Sequence, residues 1–271
     1  MTPPPTPRLW TSAVPFYVAL GLIGGLYVGL IVALLVADLS YTSPGHVARA
    51  LASPEIRSAI WLSLLTCSAS AILSVWVAVP LGYLLARTQF PGKAVVDLLV
   101  DVPIVLPPLV VGLSLLILFQ TPPGLAVQRH ITVTYAIPAV VLAQFTVAAA
   151  FAVRTMRVTF EQISPRAEEV AMTLGCSRGR AFWLVTLPEA RRGVLTAGTL
   201  AWARSLGEFG PILIFAGATR MKTEVLSTTV FLELSIGNLE AALAISVLMI
   251  AVAVVVLMIT RTFGLRGADV I

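Results

Sequence analysis

Six long apolar stretches, separated by shorter polar segments, dominate the pattern of this chain. They cover residues 16–37, 60–86, 94–119, 135–153, 194–216 and 241–260. Each has about the 20 apolar residues that a helix needs to cross a bilayer. The pattern predicts an all-α membrane protein with six transmembrane helices in a single membrane domain over residues 1–271. The longest predicted connection, residues 154–193, lies between helices four and five.

Composition supports a membrane protein and argues against a soluble one. Charged residues make up 11% of the chain and hydrophobic residues 58%, whereas a soluble domain has roughly 25% charged residues. The net charge of +5 is spread over the segments between the apolar stretches. We therefore expect contact with a lipid bilayer and no nucleic-acid partner.

The distribution of Lys and Arg predicts the orientation. With a cytoplasmic N-terminus, twelve basic residues face the cytoplasm and five face outward, with Arg204 inside a span. Cytoplasmic loops carry the excess of positive charge in membrane proteins. Both termini and the loop 154–193 are then expected on the cytoplasmic side.

Two short helices joined by a tight turn are predicted within this loop. Ser164 and Pro165 form a typical helix start, an apolar stripe follows, and Gly175 suits a left-handed helix end. The stripe consists of Ala167, Val170, Ala171 and Leu174. Ser177 is a candidate cap for the second helix, which is expected to stop near Leu187-Pro188. Periodicity alone does not tell whether the stripe lies against this chain, the lipid surface or a soluble partner.

The spacing within the loop resembles the signature loop of ABC importer permeases. Glu169-Val170-Ala171 is followed by three residues and Gly175, then by nine residues and Val185, and after one residue by Leu187-Pro188. The family pattern is Glu-Ala-Ala, three residues, Gly, nine residues, Ile, one residue, Leu-Pro. Val170 and Val185 are the departures. The resemblance implies a coupling helix that docks on a separate ATPase through Glu169, Val170, Ala171, Leu174, Gly175, Val185, Leu187 and Pro188.

Three further segments resemble the molybdate, tungstate and sulfate branch of type I, binding-protein-dependent importers. They are residues 101–113, 203–210 and 221–225. The resemblance implies a permease of a prokaryotic cell (inner) membrane that moves an oxyanion. Its expected partners are a second permease copy in a homodimer, two cytoplasmic ABC ATPase subunits, and an extracytoplasmic solute-binding protein that docks on outer loops including 217–238. Molybdate is the preferred substrate, with sulfate and tungstate as alternatives.

Predicted helices three and five contain the candidate residues of a translocation path. Arg204 and Glu208 are four residues apart, and charges inside a membrane usually face a protein interior or an aqueous path. They form either a structural ion pair or a pair lining the path. Pro107 and Pro108 interrupt helix three, which fits either a packing kink or a path.

Chemistry within this chain is not expected. Gly92-Lys93-Ala94 lacks the preceding glycine and the Ser or Thr of a P-loop, so ATP and Mg²⁺ are expected only on the partner ATPase. The two His and two Cys residues have no metal-ligand spacing, and no cofactor, metal or catalytic residue is predicted. The rival classes are a secondary transporter or channel without an ATPase, and an intramembrane enzyme.

Overall fold

The fold was analysed in a computed structural model that describes residues 10–265, with side chains described over residues 14–258. Within that part of the chain every regular element is helical. In chain order these are α1 (Trp10–Tyr41), α2 (Pro44–Ala52), α3 (Pro54–Arg87), α4 (Lys93–Val105), α5 (Pro108–Leu118), α6 (Pro122–Gln128), α7 (Ile137–Gln162), α8 (Arg166–Thr173), α9 (Arg178–Ala181), α10 (Leu187–Glu189), α11 (Arg191–Leu206), α12 (Gly210–Phe215), α13 (Leu226–Ser235) and α14 (Leu239–Leu265). A π-helical turn, Phe182–Thr186, joins α9 to α10.

The long helices agree with four of the six predicted spans. α1, α3, α7 and α14 are each long and apolar enough to cross a bilayer. They correspond to predicted helices one, two, four and six.

Predicted helices three and five are each broken. Helix three is the pair α4 and α5, bent by 114° between Val105 and Pro108. Pro107 and Pro108 have no backbone N–H, so the ladder of α4 cannot continue through them. Helix five is α11, which has 16 residues, and the short α12 after a break at residues 207–209. The described residues thus contain four candidate spans, or five with the bent pair counted as one, and a count of six stays a prediction.

Close packing of α3 against α7 forms the centre of the fold. A Cβ atom added to Gly82 of α3 would lie 2.9 Å from the backbone nitrogen of Arg157 in α7. Around this contact Leu85, Met156 and Phe160 are buried. Small residues at helix crossings bring two backbones together, so the glycine determines how closely these helices approach.

A buried polar group connects this pair to α11. The hydroxyls of Ser70 in α3 and Ser205 in α11 are 3.0 Å apart, and the Gln144 amide of α7 donates to the Ser205 carbonyl at 3.3 Å. In an apolar surrounding such side chains bond to one another because water is absent. Three helices therefore share one polar contact near the C-terminal end of α11.

Helix α1 lies largely apart from the rest of the fold. None of its described side chains is buried, and its contacts are made to α14. Its mean hydropathy over an 18-residue window is 2.5, which is typical of a helix surrounded by lipid or by other membrane helices.

Candidate functional site

The loop that carries the predicted coupling helix is formed by α8, α9, the π-helical turn and α10. Helix α8 begins at Arg166 rather than at Pro165, since Pro165 occupies the capping position. The Ser164 hydroxyl accepts from the Arg166 N–H at 3.4 Å. The predicted capping residue, Ser164, therefore lies one residue before the observed one.

Gly175 ends α8 in the left-handed conformation, as predicted. Its φ is +91°, its N–H donates to the Met172 carbonyl at 3.0 Å, and the next N–H, of Cys176, reaches the Ala171 carbonyl at 3.1 Å. These bonds satisfy carbonyls at the helix end. A residue with a side chain is disfavoured at this φ, so the sharp turn depends on glycine.

The second helix of the loop differs from its prediction at its end. Ser177 caps α9 by accepting from the Arg180 N–H at 3.4 Å, as expected. The helix does not stop at Leu187-Pro188, however, because the chain passes through the π-helical turn and α10 to Glu189. Pro188 is tolerated because it lies in the first turn of α10, where a backbone donor is not required.

The apolar stripe of α8 is left largely uncovered by the helices within the described residues. Leu174 is 81% exposed and Val170 57% exposed. Glu169, Gly175 and Pro188 are also exposed, whereas Ala171, Val185 and Leu187 are half-buried. Trp183 and Leu184 in the π-helical turn add exposed apolar area. The loop thus presents an apolar surface that this chain leaves open.

Glu168, in the first turn of α8, is the buried carboxylate of the loop. It is 7% exposed. The Tyr83 hydroxyl donates to Oε1 at 2.5 Å, and the Thr186 hydroxyl donates to Oε2 at 2.9 Å. The sequence alone does not tell which of Glu168 and Glu169 is buried, because their neighbours along the chain are similar. The hydroxyl partner Tyr83 lies far away in sequence.

The two helix breaks meet each other. A Cβ on Gly112 of α5 would lie 2.7 Å from Cα of Pro211 in α12, and a Cβ on Gly210 would lie 2.8 Å from Cβ of Pro108. The residues predicted for the path in helix three therefore adjoin the segment that follows Glu208. Sequence reasoning named Pro107, Pro108 and Glu208 but missed both glycines.

Gly112→Ala is expected to lower the thermal stability of the purified protein by several degrees. The added methyl must separate α5 from backbone atoms of α12, and overpacking typically costs about 1–3 kcal/mol. Thermal unfolding in detergent measures the effect. Gly24→Ala is the matched control, because nothing lies within 4 Å of its added Cβ. Equal melting temperatures for the two variants would contradict the close approach.

Arg204 and Glu208 form an ion pair across the end of α11. Arg204 Nη2 lies 3.1 Å from Glu208 Oε2, and the side chains are 32% and 1% exposed. The Arg204 guanidinium also lies over the Phe151 ring, 5.8 Å from its centroid. Glu208 is thus fully buried while its cation partner retains access to the surroundings.

Acidic and basic side chains also connect α4 to α7. Arg154 pairs with Asp101, and Arg157 pairs with both Asp97 and Glu161. These pairs place the two aspartates of predicted helix three beside the end of α7 that leads into the loop. The bent helix and the loop are therefore attached to the same helix.

Glu224, in the segment between α12 and α13, is a second buried carboxylate. It is 2% exposed, and neither of its oxygens accepts a hydrogen bond within the described residues. Thr229 bonds instead to the Val225 carbonyl. Burial raises the pKa of Glu224, and the positive charge of Arg220 opposes the change to a smaller extent.

Glu224→Gln is expected to raise the melting temperature at pH 8 more than at pH 5. The folded state holds the Glu224 proton more tightly than the unfolded chain, so stability falls as pH rises above about 4.5, the ordinary value. Removing a buried unpaired carboxylate relieves about 1–3 kcal/mol. Glu189→Gln, at an exposed position, is the control. A variant destabilised equally at both pH values would contradict the burial of an ionised group.

Comparisons with known proteins agree on one family. Residues 78–266 match the family described as "Binding-protein-dependent transport system inner membrane component". The sulfate transport system permease protein CysT of Salmonella typhimurium is 33% identical over 86% of this chain and 85% of its own length. The molybdenum transport system permease protein ModB of Mycobacterium bovis is 37% identical, with 77% and 80% covered. The molybdate/tungstate permease protein WtpB of Thermococcus kodakarensis is 40% identical over 62% of this chain and 64% of its own length.

A solved structure shares the fold. The crystal structure of a bacterial ABC transporter involved in the import of the acidic polysaccharide alginate matches 97% of this chain and 100% of the compared chain, with a TM-score of 0.74 and 17% identity. At this identity the likeness concerns the fold alone.

Proposed function

The chain belongs to the family of binding-protein-dependent transport system inner membrane components, and we propose that it is the subunit through which such an ATP-driven importer moves an oxyanion. Its relatives are permease subunits of ABC importers. We take molybdate as the first candidate, although residues 101–113, 203–210 and 221–225 resemble the molybdate, tungstate and sulfate branch as a whole. Sulfate and tungstate are the alternatives, because the relatives divide among all three anions.

The observation that carries the proposal is the exposed apolar surface of the loop. Leu174, Val170 and Trp183 are more than half exposed beside a turn held by Gly175. Exposed apolar area of this kind indicates a binding surface. A cytoplasmic ATPase subunit is the partner that the spacing of Glu169, Gly175 and Pro188 supports.

The assembly that we propose contains two copies of this chain, two ATPase subunits and a solute-binding protein. ATP and Mg²⁺ belong to the ATPases, and this chain carries no catalytic residue. A solved relative in fold is described as a bacterial alginate ABC transporter in complex with an alginate pentasaccharide-bound periplasmic protein, which supports the expectation of a binding protein. The permease would span a cell membrane six times. Both termini would face the cytoplasm, because the segments expected on that side carry the excess of basic residues.

The proposed path runs beside the two meeting breaks. Discontinuous membrane helices often frame a substrate site because their ends and free backbone groups face a cavity. Arg204 would attract the anion, and Glu208 would offset that charge so that the anion is released. The movement that opens the path would be alternating access, driven by closure of the ATPases on the two loops.

Stimulation of ATP hydrolysis tests the proposed function and its substrate. The complex is reconstituted with its ATPase and with binding protein loaded with molybdate, tungstate, sulfate or an unrelated organic solute. We expect at least one oxyanion to stimulate hydrolysis several-fold over the unloaded binding protein. Equal stimulation by the organic solute would refute the oxyanion assignment, and no stimulation by any of the four would refute the ATP-driven role.

A further inference from the structure

The Glu168 anchor, formed by Tyr83, Glu168 and Thr186, joins three segments of the molecule at one carboxylate. Tyr83 belongs to α3, Glu168 to α8, and Thr186 to the π-helical turn. Both oxygens of the carboxylate accept a hydroxyl, at 2.5 Å and 2.9 Å. Hydrogen bonds to an ionised acceptor are shorter and stronger than neutral ones.

The π-helical turn brings its partners to this carboxylate. The Leu187 N–H donates to the Phe182 carbonyl, which widens the helix by one residue over a single turn. Thr186 is thereby buried against Glu168, and the centroids of the Phe182 and Tyr83 rings are 4.8 Å apart. Single π-helical turns of this kind are frequent at functional sites.

α3 and the loop also meet at a second hydrogen bond, from Arg87 Nη2 to the carbonyl of Ile163 just before α8, at 2.7 Å. An apolar groove of about 590 Å³ lies between α3 and the loop. Its walls include Trp76, Pro80 and Leu84 from α3, with Phe182, Trp183 and Leu187 from the loop. Among the described residues, the hydroxyl–carboxylate contact joins α8 itself directly to α3.

Helix α3, which carries Tyr83, also contacts α11 next to the helix break beside Glu208. Ser70 lies thirteen residues earlier on α3, about 20 Å along a helix, and its hydroxyl is 3.0 Å from that of Ser205. Ser205 is the penultimate residue of α11. α3 runs without a break from Pro54 to Arg87 and packs on α7 at Gly82, so it can carry a displacement from the loop to the end of α11.

We propose that the hydrogen bond between Tyr83 and Glu168 transmits movement of the coupling loop to α3 and, through Ser70 and Ser205, to the helix break beside Glu208. This inference rests on the proposed function, since it assumes an ATPase that moves the loop. Tyr83 and Glu168 act as positioning residues and touch neither ATP nor the anion. The exposed residues of α8 would receive the ATPase, while the buried Glu168 passes on its movement.

The test compares anion uptake with ATP hydrolysis in liposomes that contain the complete transporter. Tyr83→Phe and Glu168→Gln are each expected to lower the anion transported per ATP at least about fivefold. The ATPase should still co-purify in its usual ratio, and the melting temperature should change by only a few degrees. Tyr83→Phe removes the hydrogen bond, and Glu168→Gln replaces its charged acceptor by a neutral amide, which holds the hydroxyl less strongly. The double variant should therefore lose no more than the more impaired single variant, because both substitutions act on the same contact.

Two exposed positions provide matched controls. Tyr41→Phe and Glu189→Gln make the same chemical changes outside the anchor, at residues that are exposed. Both should transport normally. Tyr83→Phe removes one hydroxyl oxygen and no volume of the ring, so it decides the question alone if Glu168→Gln fails to assemble.

Three results would overturn the inference. They are an unchanged transport-to-ATP ratio in Tyr83→Phe, multiplied losses in the double variant, or a loss of ATPase binding that accounts for the whole defect. The wild-type complex is measured first. If it shows no ATP hydrolysis in response to loaded binding protein, the proposed function fails, which is a different outcome from failure of the anchor.

Discussion

Replacing Gly175 with proline is expected to reduce transport per ATP by more than about tenfold while the membrane helices remain folded. Proline fixes φ near −65°, whereas Gly175 has φ +91°. It also removes the N–H that donates to the Met172 carbonyl. Holding a disfavoured backbone conformation costs roughly 1–3 kcal/mol, so the turn is expected to refold and to misplace Val170 and Leu174. Uptake and ATP hydrolysis in reconstituted liposomes measure the effect.

Gly179→Ala separates the role of the turn from a general sensitivity of the loop. Gly179 lies in α9, has no positive φ, and has nothing within 4 Å of an added Cβ. This variant should transport at the wild-type rate. Coupling retained in Gly175→Pro would contradict the docking role of the turn.

Arg204→Gln is expected to destabilise the protein and to abolish most transport, while Glu208→Gln leaves the fold largely intact. The first substitution leaves a carboxylate that is 1% exposed without its cation. Breaking a buried pair costs about 3–5 kcal/mol, and partial access of Arg204 to its surroundings should bring this to about 2–3 kcal/mol. The second substitution leaves Arg204, which is one-third exposed, and so costs less. Thermal unfolding and uptake are measured together.

The double substitution distinguishes a structural pair from a pair that lines the path. Changing both residues to Gln removes the unpaired charge and should restore most of the stability lost in Arg204→Gln. Transport should remain low, because the cation proposed to attract the anion is absent. If each single Gln variant left transport and its coupling to ATP intact, the proposed role in the path would be wrong.

The long, uniformly apolar helices were predictable because hydropathy alone determines them. α1, α3, α7 and α14 agree with four predicted spans. Helices α2, α6 and α13 were not predicted, since each has at most ten residues. A local signal did exist for α2, because Ser43 caps it ahead of Pro44 as a Ser-Pro pair often does.

Contacts between segments that are distant in the sequence could not be predicted from it. Prolines 107 and 108 predicted an interruption, yet only the tertiary structure brings Gly112 and Gly210 against the opposite break. Likewise, Glu168 and Glu169 are equivalent by local pattern. The hydroxyls of Tyr83 and Thr186, which only the tertiary structure brings near, decide that Glu168 is the buried one.

Molybdate uptake into liposomes distinguishes a subunit of an ATP-driven importer from a transporter that works alone. The chain is reconstituted alone, with its ATPase, and with both the ATPase and the loaded binding protein. We expect uptake only in the complete assembly and only with hydrolysable ATP. Uptake by the chain alone at a comparable rate, driven by an ion gradient without ATP, would contradict this expectation and would favour a secondary transporter.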